Sequence, residues 1–202
     1  MTTQRVIIGA EKLPVGSIGA SAPGWWGIIA GIVTETALFG YLLFSYVYLA
    51  AQPHTSAWPS EPPSLSLAAP NTVILLLSSV AVWIGERAVR QNKPRTQLIG
   101  LSAGALLGLI FVGVQLVEWK TKPFTLASGP YGSLFFTVTG FHMAHVIAGL
   151  LMLVALIAWS YRKYFDETRH AAISIGAIYW HFVDAVWLAV FFTLYLTPYM
   201  SS

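Results

Sequence analysis

Long apolar runs fill most of the chain, and short polar or proline-bearing stretches separate them. A helix that crosses the ~30 Å hydrocarbon core of a bilayer needs about 20 mainly apolar residues. Five stretches meet that requirement: about Trp25 to Ala51, Asn71 to Val89, Thr96 to Trp119, Tyr131 to Tyr161 and Ala172 to Leu196. The runs do not alternate with period two and are far longer than barrel strands, which argues against a transmembrane β-barrel. The expected fold is therefore all-α, a polytopic membrane bundle of five transmembrane helices. Pro94 stands just before the third run, Pro198 is expected to end the fifth, and Gln52 to Pro70 reads as a proline-rich loop. Small residues recur every four positions: Gly27 and Gly31 on the first helix, Gly100, Gly104 and Gly108 on the third, and Gly140, Ala144 and Ala148 on the fourth. Such stripes let helix backbones approach closely in lipid, so these glycines are expected at helix–helix contacts. No internal repeat is visible. Residues 25–202 read as one bundle, preceded by a segment, 1–24, whose broken apolar pattern does not fit a cleavable signal peptide.

Composition sharpens this picture. Charged residues make up 9% of the chain and hydrophobic ones 56%, against about 25% charged in an ordinary soluble domain. So few charges cannot dress a water-facing surface. The net charge of +3 does not imply a nucleic-acid partner, because the 11 Lys and Arg lie in short connecting segments. Their distribution sets an orientation instead. With the N-terminus in the cytoplasm, Arg5, Lys12, Arg87, Arg90, Lys93, Arg95, Arg162, Lys163 and Arg169 lie inside, and only Lys120 and Lys122 lie outside. The C-terminus is then expected on the periplasmic or extracellular side. The chain has no cysteine, which excludes disulfides and thiolate metal sites within it.

Polar residues inside the spans carry the candidate chemistry, since an ionisable group at the centre of a span costs at least ~2.5–3.5 kcal/mol. Glu35 stands between Thr34 and Thr36 on the first helix; His142 and His145 lie three apart on the fourth; His181 and Asp184 lie three apart on the fifth. Glu118 lies near the outer end of the third helix, beside Trp119. At ~1.5 Å per residue, Glu35, His142, His145, His181 and Asp184 fall at similar depth and are expected to meet near mid-membrane. Three readings of that cluster stand side by side. It is a structural network that satisfies its own buried polar groups. It is a metal site, although the Glu-x-x-His repeats of di-iron bundles are replaced here by His-x-x-His and His-x-x-Asp. Or it is a path for protons or ions built on a buried carboxylate.

Two longer motifs narrow the choice. The stretch from Pro123 to Gly149, PFTLASGPYGSLFFTVTGFHMAHVIAG, and the stretch from Tyr179 to Trp187, YWHFVDAVW, resemble the last two helices of cytochrome c oxidase subunit III. Thr34-Glu35 is similar to the step that carries that family's buried glutamate, Asn71-Thr72 to the opening of the next helix, and Glu118-Trp119 with Pro123-Phe124-Thr125 to the end of the third helix and its loop. The resemblance runs from about Trp25 to the C-terminus, and it is to the five-helix bacterial form, without the two leading helices of longer members.

That resemblance implies a non-redox core subunit of an aa3-type cytochrome c oxidase in the aerobic respiratory chain, in a bacterial plasma membrane. It implies no cofactor in this chain: haem and copper belong to partners, namely the catalytic subunit I and a copper-containing or cytochrome-fused subunit II, with small accessory subunits beside them. Membrane lipid is a further partner, and a phospholipid groove fits the family. By position, Glu35 becomes the buried carboxylate, and His142, His145, His181 and Asp184 an inter-helix polar network that supports proton uptake and the stability of the catalytic subunit during turnover. No metal ligands and no catalytic residues are implied. Subunit III of a quinol oxidase and an accessory subunit of a nitric-oxide reductase are alternatives within the wider family. A proton-coupled transporter and a membrane metalloenzyme are alternatives outside it; the lack of repeats and broken helices argues against the first.

Overall fold

The computed structural model describes residues 23–52, 63–166 and 169–200. Five helices in it are long and apolar enough to span a membrane. They are α1 (Pro23–Ala50), α2 (Leu65–Arg90), α3 (Pro94–Thr121), α4 (Pro130–Tyr161) and α5 (Ala171–Phe191). The chain then passes through a widened π-type turn, Phe192–Leu196, and a last helical turn, Thr197–Met200. The protein is an all-α, multi-pass membrane bundle, and no strand occurs among the described residues.

Two boundaries differ from expectation. The second helix begins at Leu65 and contains Pro70, where a loop was expected. Ser64 explains the early start: its Oγ accepts from the Ser66 N–H at 3.4 Å and caps the helix. Pro70 removes one backbone donor near that end without breaking the helix. The fifth helix also continues past Pro198. A proline ring clashes with the carbonyl four residues back in a regular helix, and here the preceding turn is widened: the Thr197 N–H bonds to the Phe192 carbonyl, five residues back. The rest of the loop expected at Gln52 to Pro70 lies largely outside the described residues.

The bundle is built around a close α2–α3 pair. A Cβ added at Gly100 would sit 2.6 Å from the Gly85 backbone nitrogen, and one at Gly85 would sit 3.0 Å from the Leu101 nitrogen. The backbones meet there because neither helix carries a side chain at the contact. A Cβ at Gly104 would run into Val82, and one at Gly108 would lie 2.6 Å from the Trp180 ring. Trp180 and Trp187 of α5 then fill the centre, each almost fully buried. Their indoles reach across to α2: Trp180 Nε1 donates to Ser78 Oγ at 3.0 Å, and Trp187 Nε1 donates to Thr72 Oγ1 at 2.9 Å.

Gly27, Gly31 and Gly140 are corrected by the structure. An added Cβ at any of the three would meet nothing within 4 Å. Within this chain they are not helix contacts. α1 touches α4, α5 and the π-type turn after α5, and leaves most of its surface exposed. The stripe on α4 likewise faces outward, since Ala144 and Ala148 are exposed. Close approaches of α4 occur instead at Gly149, against Trp180, and at Gly132, against the Thr125 carbonyl.

Candidate functional site

The five polar residues expected at mid-membrane do not form one network. They divide among three environments.

Glu35 and His145 form a pair between α1 and α4. His145 Nε2 lies 3.0 Å from Glu35 Oε2, and His145 Nδ1 lies 2.7 Å from the Phe141 carbonyl. A carbonyl oxygen only accepts, so Nδ1 must carry a hydrogen. One proton therefore also lies between Nε2 and the carboxylate. Either it rides on the imidazole, giving an ion pair, or it rides on Glu35, giving a neutral pair. Phe39 packs edge-on against the His145 ring at 5.1 Å, and the Tyr179 hydroxyl reaches the His145 backbone carbonyl at 3.4 Å. The glutamate side chain is 34% exposed and the histidine 16%, so the pair opens to the outside of the bundle, away from its core.

His181 and Asp184 belong to a second environment, between α5 and α2. His181 Nδ1 lies 3.1 Å from Ser79 Oγ. Asp184 is buried beside Ser79 and His181, and its Oδ1 has no hydrogen-bond partner among the described residues.

His142 stands apart from both. Neither ring nitrogen has a hydrogen-bond partner among the described residues. The ring lies between Trp187 at 4.8 Å and Phe111, met edge-on at 5.8 Å. The expectation that it shares a network with His145 is corrected. Residues three apart on a helix are offset by about 60°, and α4 is packed against α1 on one side and against α3 and α5 on others, so this offset aims the two rings at different neighbours. A dry seam bordered by Phe39, His142, His145 and Phe182 separates the two environments, too narrow for a water-sized sphere. Among the described residues no group of three His, Cys, Asp or Glu lies close enough to hold a metal ion.

A fourth polar cluster was not singled out as a site from the sequence. Glu118 is almost fully buried near the end of α3. Its Oε1 receives Lys122 Nζ at 2.8 Å and the Tyr195 hydroxyl at 2.9 Å, and its Oε2 receives Gln115 Nε2 at 3.2 Å. Lys122 in turn stands over the Phe135 ring at 5.1 Å and the Tyr195 ring at 5.5 Å. The spacing of Glu118 and Lys122, four apart with the acid first, was the available signal. The part of Tyr195 was hidden, because the π-type turn that carries it has no sequence mark.

These positions frame the comparison with known proteins. Residues 21–199 match the family model for cytochrome c oxidase subunit III. The chain belongs to the cytochrome c oxidase subunit III family. It is 35% identical over 179 residues to cytochrome c oxidase subunit 3 of Marchantia polymorpha, covering 84% of this chain and 67% of that protein. It is 37% identical over 174 residues to the subunit 3 of Artemia franciscana, with the same two shares. To that of Thermostichus vulcanus it is 30% identical over 174 residues, covering 84% of this chain and 85% of that one. All three relatives are named for cytochrome c oxidase, which gives the quinol oxidase alternative no support. The matched region takes in the five spanning helices found among the described residues, all but the last residue of the fifth.

Proposed function

We propose that this chain is the non-redox third subunit of an aa3-type cytochrome c oxidase in a bacterial plasma membrane. It packs against the catalytic subunit, supports proton uptake and preserves that subunit through repeated turnover. Haem and copper sit in the partner subunits, and this chain supplies no ligand to them. The N-terminus is cytoplasmic, consistent with nine basic residues on that side against two on the other. Residues 25–202 act as one five-helix unit, with 1–24 as a cytoplasmic N-terminal segment.

The observation that carries the proton role is the Glu35–His145 pair. Its geometry requires one proton held between two groups, and both groups are partly exposed at mid-span. A proton so placed can move between imidazole and carboxylate without creating a net charge in the membrane. The exposed α1 face suits a large neighbour, because the pair would otherwise present a polar edge to lipid.

Purification through a tag on this chain, in mild detergent, tests the assignment. Haem a absorbance and a co-purifying multi-span subunit are expected; a colourless, folded, solitary protein would overturn it. Glu35→Gln then tests the proton role. The complex should assemble with its haem spectrum intact, yet lose activity over fewer turnovers or take up protons more slowly. An unchanged inactivation rate and unchanged uptake would leave Glu35 with a packing role only.

A further inference from the structure

We propose that Tyr195 is a redox-active tyrosine, which gives one electron to an oxidised Trp187 and its phenolic proton to Glu118. The oxidant that starts the sequence is a strong one-electron acceptor, such as a peroxide-derived radical. Trp187 and Tyr195 are both fully buried, and their ring centroids lie 6.4 Å apart. In a chain without cysteine, indole and phenol rings are the groups that yield a single electron most readily. This chemistry uses no haem or copper and stays outside oxygen reduction. It stands without the oxidase assignment; only its use as protection, given below, rests on that reading.

Proton placement is the first argument. A tyrosine that loses an electron becomes a strong acid, and its radical lasts only where a base takes the phenolic proton. Tyr195 donates to Glu118 Oε1 at 2.9 Å, within reach of direct proton transfer. Tyr179 and Tyr199 donate instead to the backbone carbonyls of His145 and Pro63, which are far weaker bases than a carboxylate. Trp187 is no resting place either. Its Nε1 donates to the neutral Thr72 hydroxyl at 2.9 Å, which cannot keep a second proton. The step then balances as follows. Trp187 loses one electron to the oxidant and becomes a radical cation. Tyr195 passes one electron to Trp187, restoring the neutral indole, and one proton to Glu118. The products are a neutral tyrosyl radical and a protonated Glu118 beside the Lys122 ammonium. The positive charge ends on Lys122, whose side chain is 11% exposed, and no charged ring remains in the apolar core.

The second argument is the arrangement around the ring. Tyr195 sits in the π-type turn, Phe192–Leu196, and such widened turns are rare and concentrate at functional sites. Pro198 accounts for the widening, but not for a buried hydroxyl aimed at a buried carboxylate; packing alone would be served by phenylalanine. Lys122 Nζ stands 5.5 Å from the Tyr195 ring centroid. A cation over the ring makes its electron harder to remove, which reserves the site for strong oxidants. In the resting protein the donors hold Glu118 in a single state, and electron loss from Tyr195 gives the cluster its second. Further aromatic rings lead onward. Phe135 lies 5.9 Å from Tyr195 and stacks with Tyr131 at 6.2 Å, and Tyr131 lies 6.3 Å from Tyr46 of the exposed helix α1. In a subunit that preserves a neighbour through turnover, this series would draw off a stray oxidising equivalent before it reached a less tolerant side chain.

The absence of cysteine makes a site-directed test simple. Leu188→Cys, exposed and next to Trp187 in the chain, gives a single attachment point for a ruthenium photosensitiser. A laser flash with a sacrificial electron acceptor in the buffer converts the label on the full chain, in mild detergent, into a one-electron oxidant. The tryptophan radical absorption should appear first and decay as the tyrosyl absorption rises. Tyr195→Phe should lose most of the tyrosyl signal and prolong the tryptophan one. Glu118→Gln combined with Lys122→Met keeps the phenol but removes its base, and the tyrosyl signal should again be lost. Tyr161→Phe, exposed at the far end of α4, should change nothing. An undiminished tyrosyl signal in Tyr195→Phe, or an unaltered one in the double variant, would overturn the proposal. If Tyr195→Phe lowers the melting temperature, a fluorinated tyrosine at position 195 replaces it, and its altered hyperfine pattern must appear in the electron paramagnetic resonance of the frozen, flashed sample; an unaltered pattern would overturn the assignment. In the assembled complex, Tyr195→Phe should inactivate after fewer turnovers. Unchanged endurance there would overturn the protective use, while the flash result on the chain alone decides the redox step whatever complex the chain joins.

Discussion

Glu118 and Glu35 are both carboxylates within the helices of this bundle, and their surroundings differ in almost every respect. Glu118 is 3% exposed and receives Lys122, Tyr195 and Gln115. Glu35 is 34% exposed, and its one side-chain partner among the described residues is His145. A buried anion surrounded by fixed donors is satisfied in one state only, and it locks the elements that supply those donors. Here it ties the end of α3 to the π-type turn after α5. A carboxylate that shares a proton with an imidazole at an open edge has two states of similar make-up. The first arrangement suits architecture, and the second suits exchange with a neighbour.

The comparison can be broken most severely at Lys122. Lys122→Met strands Glu118 with two neutral donors, and removing one partner of a buried pair costs about 3–5 kcal/mol. Thermal unfolding in detergent should show a large fall in Tm, and adding Glu118→Gln should recover much of it. A small change for the single variant would mean that water already screens this site. Next in size is the α2–α3 contact. Gly100→Val forces two backbones apart and should destabilise by about 1–3 kcal/mol, while Gly27→Val, which meets open space, should stay within about 0.5 kcal/mol in the isolated chain. Failure of Gly27→Val to assemble with partners, despite a normal melt alone, would place a partner on α1.

A smaller loss is expected at Trp187. Trp187→Phe removes the bond to Thr72 and part of a fully buried ring, for about 1–2 kcal/mol; a Thr72→Val background should erase the hydrogen-bond share of that loss and leave the packing share. Smallest of all is Glu35→Gln. A polar substitution at this partly exposed, near-isosteric position should move stability by less than about 0.5 kcal/mol, and its signature belongs in proton uptake. A large drop in Tm would show that Glu35 is architectural like Glu118, and the contrast between them would collapse.

The five spans were legible because a bilayer imposes a length and an apolarity that few other structures need. The Gly100, Gly104 and Gly108 face was legible for a similar reason, since only a neighbouring backbone or a large ring makes use of so many missing side chains. Helix ends were less so. Ser64 is one serine among several, and its capping role depends on the backbone turning at that point. The polar cluster was overdrawn because periodicity states which residues of one helix share a face and is silent on which helix lies opposite. His142 and His145 show the limit: a 60° offset, harmless on an isolated helix, separates a ring packed in aromatics from a ring paired with Glu35. Tyr195 escaped for the opposite reason, as its reach to Glu118 depends on an extra residue in one helical turn.

The α2–α3 contact also bears on biogenesis. Only Gln91, Asn92 and Lys93 connect the two helices, and Asn92 takes a left-handed backbone angle, φ 55°, that asparagine tolerates better than most residues. Two spans joined so briefly, with bare backbone at the crossing near the turn, are shaped to enter the bilayer together as a closed hairpin. α1, held along one edge, would join such a hairpin as a late and separable addition. An error at Gly100 would then be felt at the ribosome's exit, before any oxidase existed to be impaired.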